Sequence, residues 1–335
     1  MAGKTLPFLC DNWGMRWWIG GGLILALVIS SWFVVKNQNK EIVSPLGKVW
    51  EKPLDKYAIE KLGKREYGSE IFLDEVIATT SAFSVYKFHF DSDGKKVTGL
   101  AHVPNSCKKC PVIAQFRGYV ERGIYQPGVG TKRSAEVFAK SGFISLAPDG
   151  LGYGESDNPG EDVFEERFRT YTTALNLLSA IGDWPVADPD RVGIWGHSNG
   201  GQVALTVLEI SGKNYPTTVW APVSKPFPYS ILYYTDEAED HGKAMRKELA
   251  KFEQEYDVER YSLANYLERI NAALQIHQGT ADEAVQFKWN RELTGRLKEL
   301  GKEVTYFEYP GADHNLTPVW NSVVKRDIEF FNEHW

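Results

Sequence analysis

The chain has 335 residues, of which 43% are hydrophobic and 13% aromatic, enough for one large domain or two small ones. Its formal net charge of -6 and its lack of a basic stripe argue against a nucleic-acid partner. Three cysteines are too few for a framework of disulfides.

An uncharged apolar segment, residues 17–35, lies near the N-terminus, with tryptophans close to both of its ends. A helix over this segment spans about 28 Å, close to the thickness of the hydrocarbon core of a bilayer. A signal peptide and a buried core helix are the alternatives, but no small-residue cleavage site follows Val35. We therefore predict a single-pass membrane anchor.

Basic residues on the two sides of the segment nearly balance, so orientation stays open. The simplest topology has residues 1–16 in the cytoplasm and the large domain outside it. Residues 36–56 then form a juxtamembrane linker, within a charged, proline-containing stretch that continues to about Glu70.

Beyond the linker, short apolar segments alternate with amphipathic ones. The predicted strands are 83–90, 97–103, 111–116, 143–147, 191–195, 217–221, 272–277 and 304–309. The predicted helices are 134–140, one beginning near Glu161, 202–208, 287–300 and 318–331. Such alternation predicts an α/β fold with a mainly parallel central sheet and helices on both faces.

One domain, 57–335, accounts for this pattern, and residues 223–270 interrupt it as a charge-rich helical insertion. Placed over the carboxyl ends of the strands, that insertion would be a lid. Its apolar stripe, from Met245 to Tyr256, is also compatible with ordinary packing.

Neither of two further motifs predicts a cofactor. The glycine-rich loop 149–156 lacks the acidic residue expected about 20 positions after a dinucleotide fingerprint. Cys107 and Cys110 resemble half of a zinc site without its other half, so two thiols or a small disulfide are expected. No metal and no other cofactor is predicted.

The segment Gly196-His197-Ser198-Asn199-Gly200-Gly201 separates an apolar strand from a helix-like run. A serine in such a strand–turn–helix segment is exposed at the positive end of the helix, and the flanking glycines let strand and helix approach each other. Ser198 is therefore the predicted nucleophile, the alternative being an inert turn serine.

A serine hydroxyl needs a base, and seven histidines are candidates. His314 follows the last strand in a loop that can reach back over the sheet, so it is the predicted base. The others lie within strands, in the insertion or at the terminus, and His197, beside Ser198, is expected to point elsewhere.

Asp282, after strand 272–277, is the predicted carboxylate partner of the base, with Glu283 and Asp313 as rivals. The order Ser198, Asp282, His314 is one of the chain orders in which a serine, its acid and its base occur. The backbone N–H groups of Asn199 and Tyr119 are the predicted oxyanion donors, Tyr119 because it follows strand 111–116.

Five segments together resemble the α/β-hydrolase superfamily, in the branch of prolyl oligopeptidases, dienelactone hydrolases and acetyl xylan esterases. They are 116–119, 149–156, 196–201, 276–282 and 309–314, and the resemblance covers about 70–335. It implies the same triad and the same two backbone donors.

Two departures from that branch favour an esterase over a peptidase. Arg117 stands where relatives carry histidine or a tyrosine that helps the oxyanion, and no N-terminal propeller is expected between the membrane segment and the domain. We predict a membrane-anchored serine hydrolase that cleaves carboxylic esters of small or medium acyl groups through an acyl-enzyme. A propeller-less peptidase acting on short peptides and a non-catalytic binding module are the alternatives, and the oligomeric state is left open.

Overall fold

The computed structural model describes residues 51–335, in which Pro53–Trp335 forms one compact unit. Its centre is a nine-stranded sheet in the order β1-β2-β3-β5-β4-β6-β7-β8-β9. The strands are β1 Phe72–Thr79, β2 Phe83–Asp91, β3 Lys96–Pro104, β4 Cys110–Phe116, β5 Ile144–Pro148, β6 Ala187–His197, β7 Thr217–Trp220, β8 Leu274–Gly279 and β9 Val304–Tyr309.

The strands from β5 to β9 in this order are parallel, whereas β1, β2 and β3 form an antiparallel extension. All the parallel strands therefore end at one edge, where open α/β sheets usually bind ligands. The register also brings the loops after β4 and β6 together, because Phe116 pairs with Gly196. Likewise Gly279 pairs with Tyr309, so the loops after β8 and β9 begin side by side.

Eight α-helices lie in the described residues. They are α1 Ile59–Leu62, α2 Lys132–Lys140, α3 Val163–Asp183, α4 Asn199–Ser211, α5 Tyr229–Thr235, α6 Lys243–Glu255, α7 Phe287–Glu299 and α8 Trp320–Glu333. The long helix α3 begins where its acidic residues indicate, since the side chain of Asp162 accepts the N–H groups of Phe164 and Glu165. The predicted α/β-hydrolase fold with a mostly parallel sheet is confirmed.

Two parts of the N-terminal region differ from the sequence prediction. The core begins just before the predicted domain boundary at residue 57, because Leu54 is buried in the main hydrophobic cluster together with Tyr57 and Leu62. The charged residues between them obscure this short apolar pattern. Strand β1 was not predicted, and all eight of its residues are exposed because it is the outermost strand.

The predicted membrane segment, residues 17–35, lies outside the described residues and stays a prediction. Within 51–335, no helix is both long and apolar enough to cross a membrane.

The insertion after β7 contains α5, α6 and three short 3-10 turns. Its apolar stripe packs inward: Phe252 of α6 is buried against Phe164 and Phe168 of α3. Helix α5 instead lies against the loop after β8, where Tyr234 donates its hydroxyl to the carbonyl of Ala284. The stripe thus serves packing, and α5 is the part of the insertion placed beside the predicted acid.

Cys107 and Cys110 form a disulfide in the turn between β3 and β4. This is one of the two states expected from the sequence. No cluster of ligands suited to a metal ion occurs among residues 51–335.

His102, inside β3, is 2% exposed, and its Nδ1 has no hydrogen-bond partner among the described residues. Burial, with a smaller effect of Lys132, lowers the pKa of His102 to about 4. His102 therefore binds a proton near pH 6.5 in the unfolded chain but only near pH 4 in the folded chain. This histidine should accordingly cost stability as the pH falls through that window.

We expect His102→Phe, which keeps a ring of similar size, to flatten the fall in the free energy of unfolding between pH 6.5 and 4. The difference should reach on the order of 3 kcal/mol, because one pKa unit corresponds to about 1.4 kcal/mol. Urea unfolding at several pH values measures it. An exposed control, His241→Phe, should leave the slope unchanged; equal slopes for wild type and His102→Phe would contradict the assignment.

Candidate active site

Ser198 lies between the end of β6 and the start of α4, with φ of 55° and ψ of -118°. A non-glycine residue rarely adopts such a positive φ, and the strain is typical of residues that a functional turn forces out of the sheet. Its backbone is fixed on both sides, because the N–H of Ser198 donates to Trp220 and its carbonyl accepts from Val223. The local geometry is that of the predicted nucleophile turn.

Close backbone contacts explain the glycines around this turn. A Cβ on Gly200 would lie 1.9 Å from the carbonyl oxygen of Phe116, and one on Gly196 would lie 2.6 Å from that of Gly200. Both distances are impossible for real atoms, so any side chain would push helix α4 away from β4 and β6. The glycines therefore bring the start of α4 against the loop after β4.

His314 and Asp282 meet across the loops after β9 and β8. The Nδ1 atom of His314 lies 2.9 Å from Oδ2 of Asp282, whose side chain is fully buried, while the His314 side chain is 22% exposed. Gly279 permits this approach, because a Cβ there would lie 2.2 Å from the carbonyl oxygen of Ala312. The structure thus brings the predicted acid and the predicted base into direct contact.

The carboxylate of Asp282 is held from several directions. Oδ1 accepts the backbone N–H groups of Ala284 and Val285, and Oδ2 accepts Nε2 of Gln278 as well as the contact with His314. Burial by itself raises the pKa of Asp282, but these hydrogen bonds outweigh it and leave the pKa below its usual value. The group is an ionised acceptor that can orient an imidazole.

Glu283 and Asp313, the alternatives to Asp282, have other surroundings or partners. Glu283 is exposed beside Asp282. Oδ1 of Asp313 accepts the N–H groups of Asn315 and Thr317, so it closes the turn of its own loop. Neither makes a described contact with His314.

His197 does not point away from the site, contrary to the sequence prediction. Its Nε2 lies 3.0 Å from the backbone carbonyl of His314, and the two rings are 4.7 Å apart. Since a carbonyl only accepts, Nε2 of His197 carries the hydrogen. Burial, followed by the charge of His314, lowers the pKa of His197 to about 4. Neutral His197, which directly precedes Ser198, is therefore hydrogen-bonded to the loop that carries His314.

Strand alternation could have indicated the face of the sheet on which His197 lies, because Trp195 and His197 share one face, but it does not indicate the contact with the carbonyl of His314. By contrast, His277 is structural, as expected. It is fully buried between the hydroxyl of Tyr309 and the carboxylate of Asp327.

The two predicted oxyanion donors flank Ser198. Asn199 is the first residue of α4, where helix N–H groups have no intrahelical partner. Tyr119 lies in the loop after β4, which runs directly against the turn: a Cβ on Gly118 would lie 3.1 Å from Cβ of Ser198. Neither N–H is used in any hydrogen bond that the structure gives for residues 51–335. Both are free to face an anion.

A cavity of about 730 Å3 lies beside this site. His197 and Asn315 contribute to its wall, and so do the rings of Trp195, Trp220 and Trp320. Arg133 covers the ring of Trp320 at 3.6 Å. Trp195 and Trp220 are almost fully buried, so the cavity exposes little ring surface, and Ser198, Asp282 and His314 are not among its lining residues.

Known proteins resemble the chain in sequence over part of its length. The chain is 29% identical over 164 residues to a Schizosaccharomyces pombe protein that carries the name of a dipeptidyl aminopeptidase, a match covering 48% of this chain and 18% of that protein. It spans 18% to 32% of the length of the first two curated relatives it matches.

Two solved structures show the same fold at low identity. Acetyl xylan esterase 1 from Thermoanaerobacterium superimposes with a TM-score of 0.63 at 16% identity, over 83% of this chain and 94% of the esterase. Acylaminoacyl peptidase from Pyrococcus horikoshii superimposes with a TM-score of 0.59 at 20% identity, over 76% of this chain and 42% of the peptidase.

One sequence family matches most of the hydrolase fold. The match runs over residues 130–335, more than half of the chain, and includes Ser198, Asp282 and His314. It agrees with the resemblance inferred from the five sequence segments. The chain belongs to the prolyl oligopeptidase family.

Proposed function

We propose that the chain hydrolyses carboxylic esters of small acyl groups through an acyl-enzyme on Ser198. The observation that carries this proposal is the contact of His314 with the buried, ionised carboxylate of Asp282 at the edge of the sheet where Ser198 is held in a strained turn. That contact has no evident packing role for a partly exposed imidazole, whereas a serine nucleophile requires an oriented base.

Each group has one task in the proposed reaction. His314 takes the proton of the Ser198 hydroxyl as Oγ attacks the ester carbonyl, and Asp282 stabilises the imidazolium that results. The N–H groups of Tyr119 and Asn199 bind the oxyanion. His314 then protonates the leaving alkoxide, and a water molecule repeats the sequence to release the acid. Holding Nδ1–H on Asp282 leaves Nε2 of His314 free to accept the proton.

An amide demands more than an ester, because its leaving nitrogen must be protonated and the peptide held in register. Carboxylates of the insertion are the candidates for binding a substrate amine. Asp236 is 76% exposed and pairs with Arg246 at 3.0 Å, and Asp240 accepts the N–H groups of Gly242 and Ala244. These carboxylates already have partners at the surface, which supports ester over amide hydrolysis.

Peptide hydrolysis is the second candidate, and family membership together with the dipeptidyl aminopeptidase relative supports it. A non-catalytic binding module is less well supported, because binding alone does not need the His314–Asp282 pair.

We expect p-nitrophenyl acetate and butyrate to be cleaved at least about 100-fold faster, in kcat/KM, than an aminoacyl or prolyl p-nitroanilide, because an amide is less reactive than an activated ester and its leaving nitrogen must be protonated. Steady-state assays of the full chain measure the ratio. Comparable values for ester and amide would favour the peptidase. In that case Asp236→Asn combined with Asp240→Asn should abolish amide cleavage and spare the ester, identifying the insertion as the amine site.

A further inference from the structure

Arg117 follows β4 directly and reaches back to its own loop. One terminal nitrogen donates to the carbonyl of Gly118 at 3.0 Å, and the other donates to the carbonyl of Asp149 at 2.9 Å. Its guanidinium contacts two rings that meet edge to face, and lies 4.6 Å from the centroid of Tyr125 and 4.1 Å from that of Tyr153. Stacking and a forked pair of hydrogen bonds hold the group in one orientation.

The same rings are fixed to the protein on their far sides. The hydroxyl of Tyr125 donates to the buried carboxylate of Asp149 at 2.5 Å, and that carboxylate also accepts the hydroxyl of Thr98. The hydroxyl of Tyr153 donates to the carbonyl of Val120 at 2.9 Å. Arg117 and Tyr153 therefore bind the carbonyl groups on both sides of Tyr119.

The carbonyl of Gly118 and the N–H of Tyr119 belong to one peptide unit. This unit is trans, because the cis peptide bonds among the described residues precede Pro228 and Pro318. In a planar trans peptide, the C=O and N–H bonds point in opposite directions. A donor that fixes the Gly118 carbonyl also fixes the direction of the Tyr119 N–H, and a cation at the oxygen strengthens that N–H as a donor.

We infer that Arg117 is a positioning residue that aims and strengthens the Tyr119 N–H as an oxyanion donor. The inference rests on the proposed function and adds to it a side chain that contacts no substrate. Arg117 differs from the histidine or tyrosine expected at this position in this branch of hydrolases. Its hydrogen bond to the carbonyl of Gly118 gives it a role at the oxyanion site. Arg117 supports the N–H of Tyr119 together with Tyr125, Tyr153 and the glycine-rich loop 149–156.

The test is Arg117→Lys, with Arg117→Met as a stronger variant. Lysine keeps the positive charge but cannot hold two carbonyls with a planar fork. Because the oxyanion exists only in the transition state, we expect kcat for p-nitrophenyl acetate to fall by about 10- to 100-fold, approaching the effect of losing one donor, while KM stays within about twofold. Affinity for a trifluoromethyl ketone inhibitor should fall in parallel with kcat.

Arg122→Lys is the matched control. Arg122 also lies over the ring of Tyr153, at 5.5 Å, but pairs with the exposed Glu166 instead of the loop carbonyl. It should retain kcat and inhibitor affinity. Should Arg117→Met fail to fold, Tyr153→Phe, which frees only the Val120 carbonyl, should give a smaller loss of kcat of the same type.

The outcomes distinguish a failure of the proposed function from a failure of the role inferred for Arg117. If a fluorophosphonate does not label wild-type Ser198, the proposed function is wrong and this inference falls with it. If wild type is labelled and active, but Arg117→Lys keeps its kcat or loses inhibitor affinity no more than Arg122→Lys does, the proposed function stands and Arg117 is not a positioning residue.

Discussion

Ser198→Ala is expected to abolish labelling by a fluorophosphonate probe and to lower kcat for p-nitrophenyl butyrate by about five to six orders of magnitude, as loss of the nucleophile does in other serine hydrolases. The change removes only Oγ from a partly exposed residue whose backbone is held by Trp220 and Val223, so the fold should persist. In-gel fluorescence, tryptic mapping of the label and steady-state rates measure the effect.

Ser211→Ala provides the control, because Ser211 lies at the opposite end of α4 and its Oγ only accepts the N–H of Lys213. This variant should be labelled and active like wild type. Labelling at another residue, or undiminished turnover by Ser198→Ala, would end the proposal of a Ser198 acyl-enzyme.

The second large effect concerns Asp282→Asn, which should lower kcat by about 10⁴-fold. Backbone N–H groups of Ala284 and Val285 require an acceptor at Oδ1, so the new amide group must take the place of Oδ2. There it presents N–H to His314, which can then accept only at Nδ1 and carries its hydrogen on Nε2. That tautomer cannot take the proton of Ser198.

The rival carboxylates are matched controls for this variant. Asp313→Asn keeps an acceptor for the N–H groups of Asn315 and Thr317, and Glu283→Gln changes an exposed side chain. Both should stay within about threefold of wild type. A larger loss for either of them than for Asp282→Asn would transfer the acid role to that residue. Thermal unfolding of each variant distinguishes lost chemistry from a lost fold.

Much of this arrangement follows from local sequence because parallel strands end at a common edge. Polar residues directly after β6, β8 and β9 had to lie near one another, and Gly196 and Gly200 indicated how closely strand and helix approach. The order of the strands along the chain was therefore enough to predict that Asp282 and His314 lie in neighbouring loops. Their direct contact in the structure agrees with that expectation.

The contacts of His197 and Arg117 could not be obtained in this way. His197 contacts a backbone carbonyl of another loop, and Arg117 contacts one carbonyl of its own loop and one of the loop after β5. The amino-acid sequence does not indicate where backbone carbonyl groups point. The buried N-terminal turn around Tyr57 was obscured for a different reason. Its apolar residues are few and separated by lysine and glutamate, so the composition resembles that of a linker although the chain packs on the core.

The outermost strand β1 has one further consequence. Phe72, Val76 and Ile77 are exposed on an edge that no other strand of residues 51–335 covers, and such an edge can pair with a strand of another chain. Two irregularities in the pairing with β2, on either side of Val76, bend this edge away from a flat ladder. Asp74 and Glu75 add negative charge between the apolar side chains. Edge-to-edge pairing through β1 would therefore meet an irregular backbone and the carboxylates of Asp74 and Glu75, which disfavours the addition of a further strand.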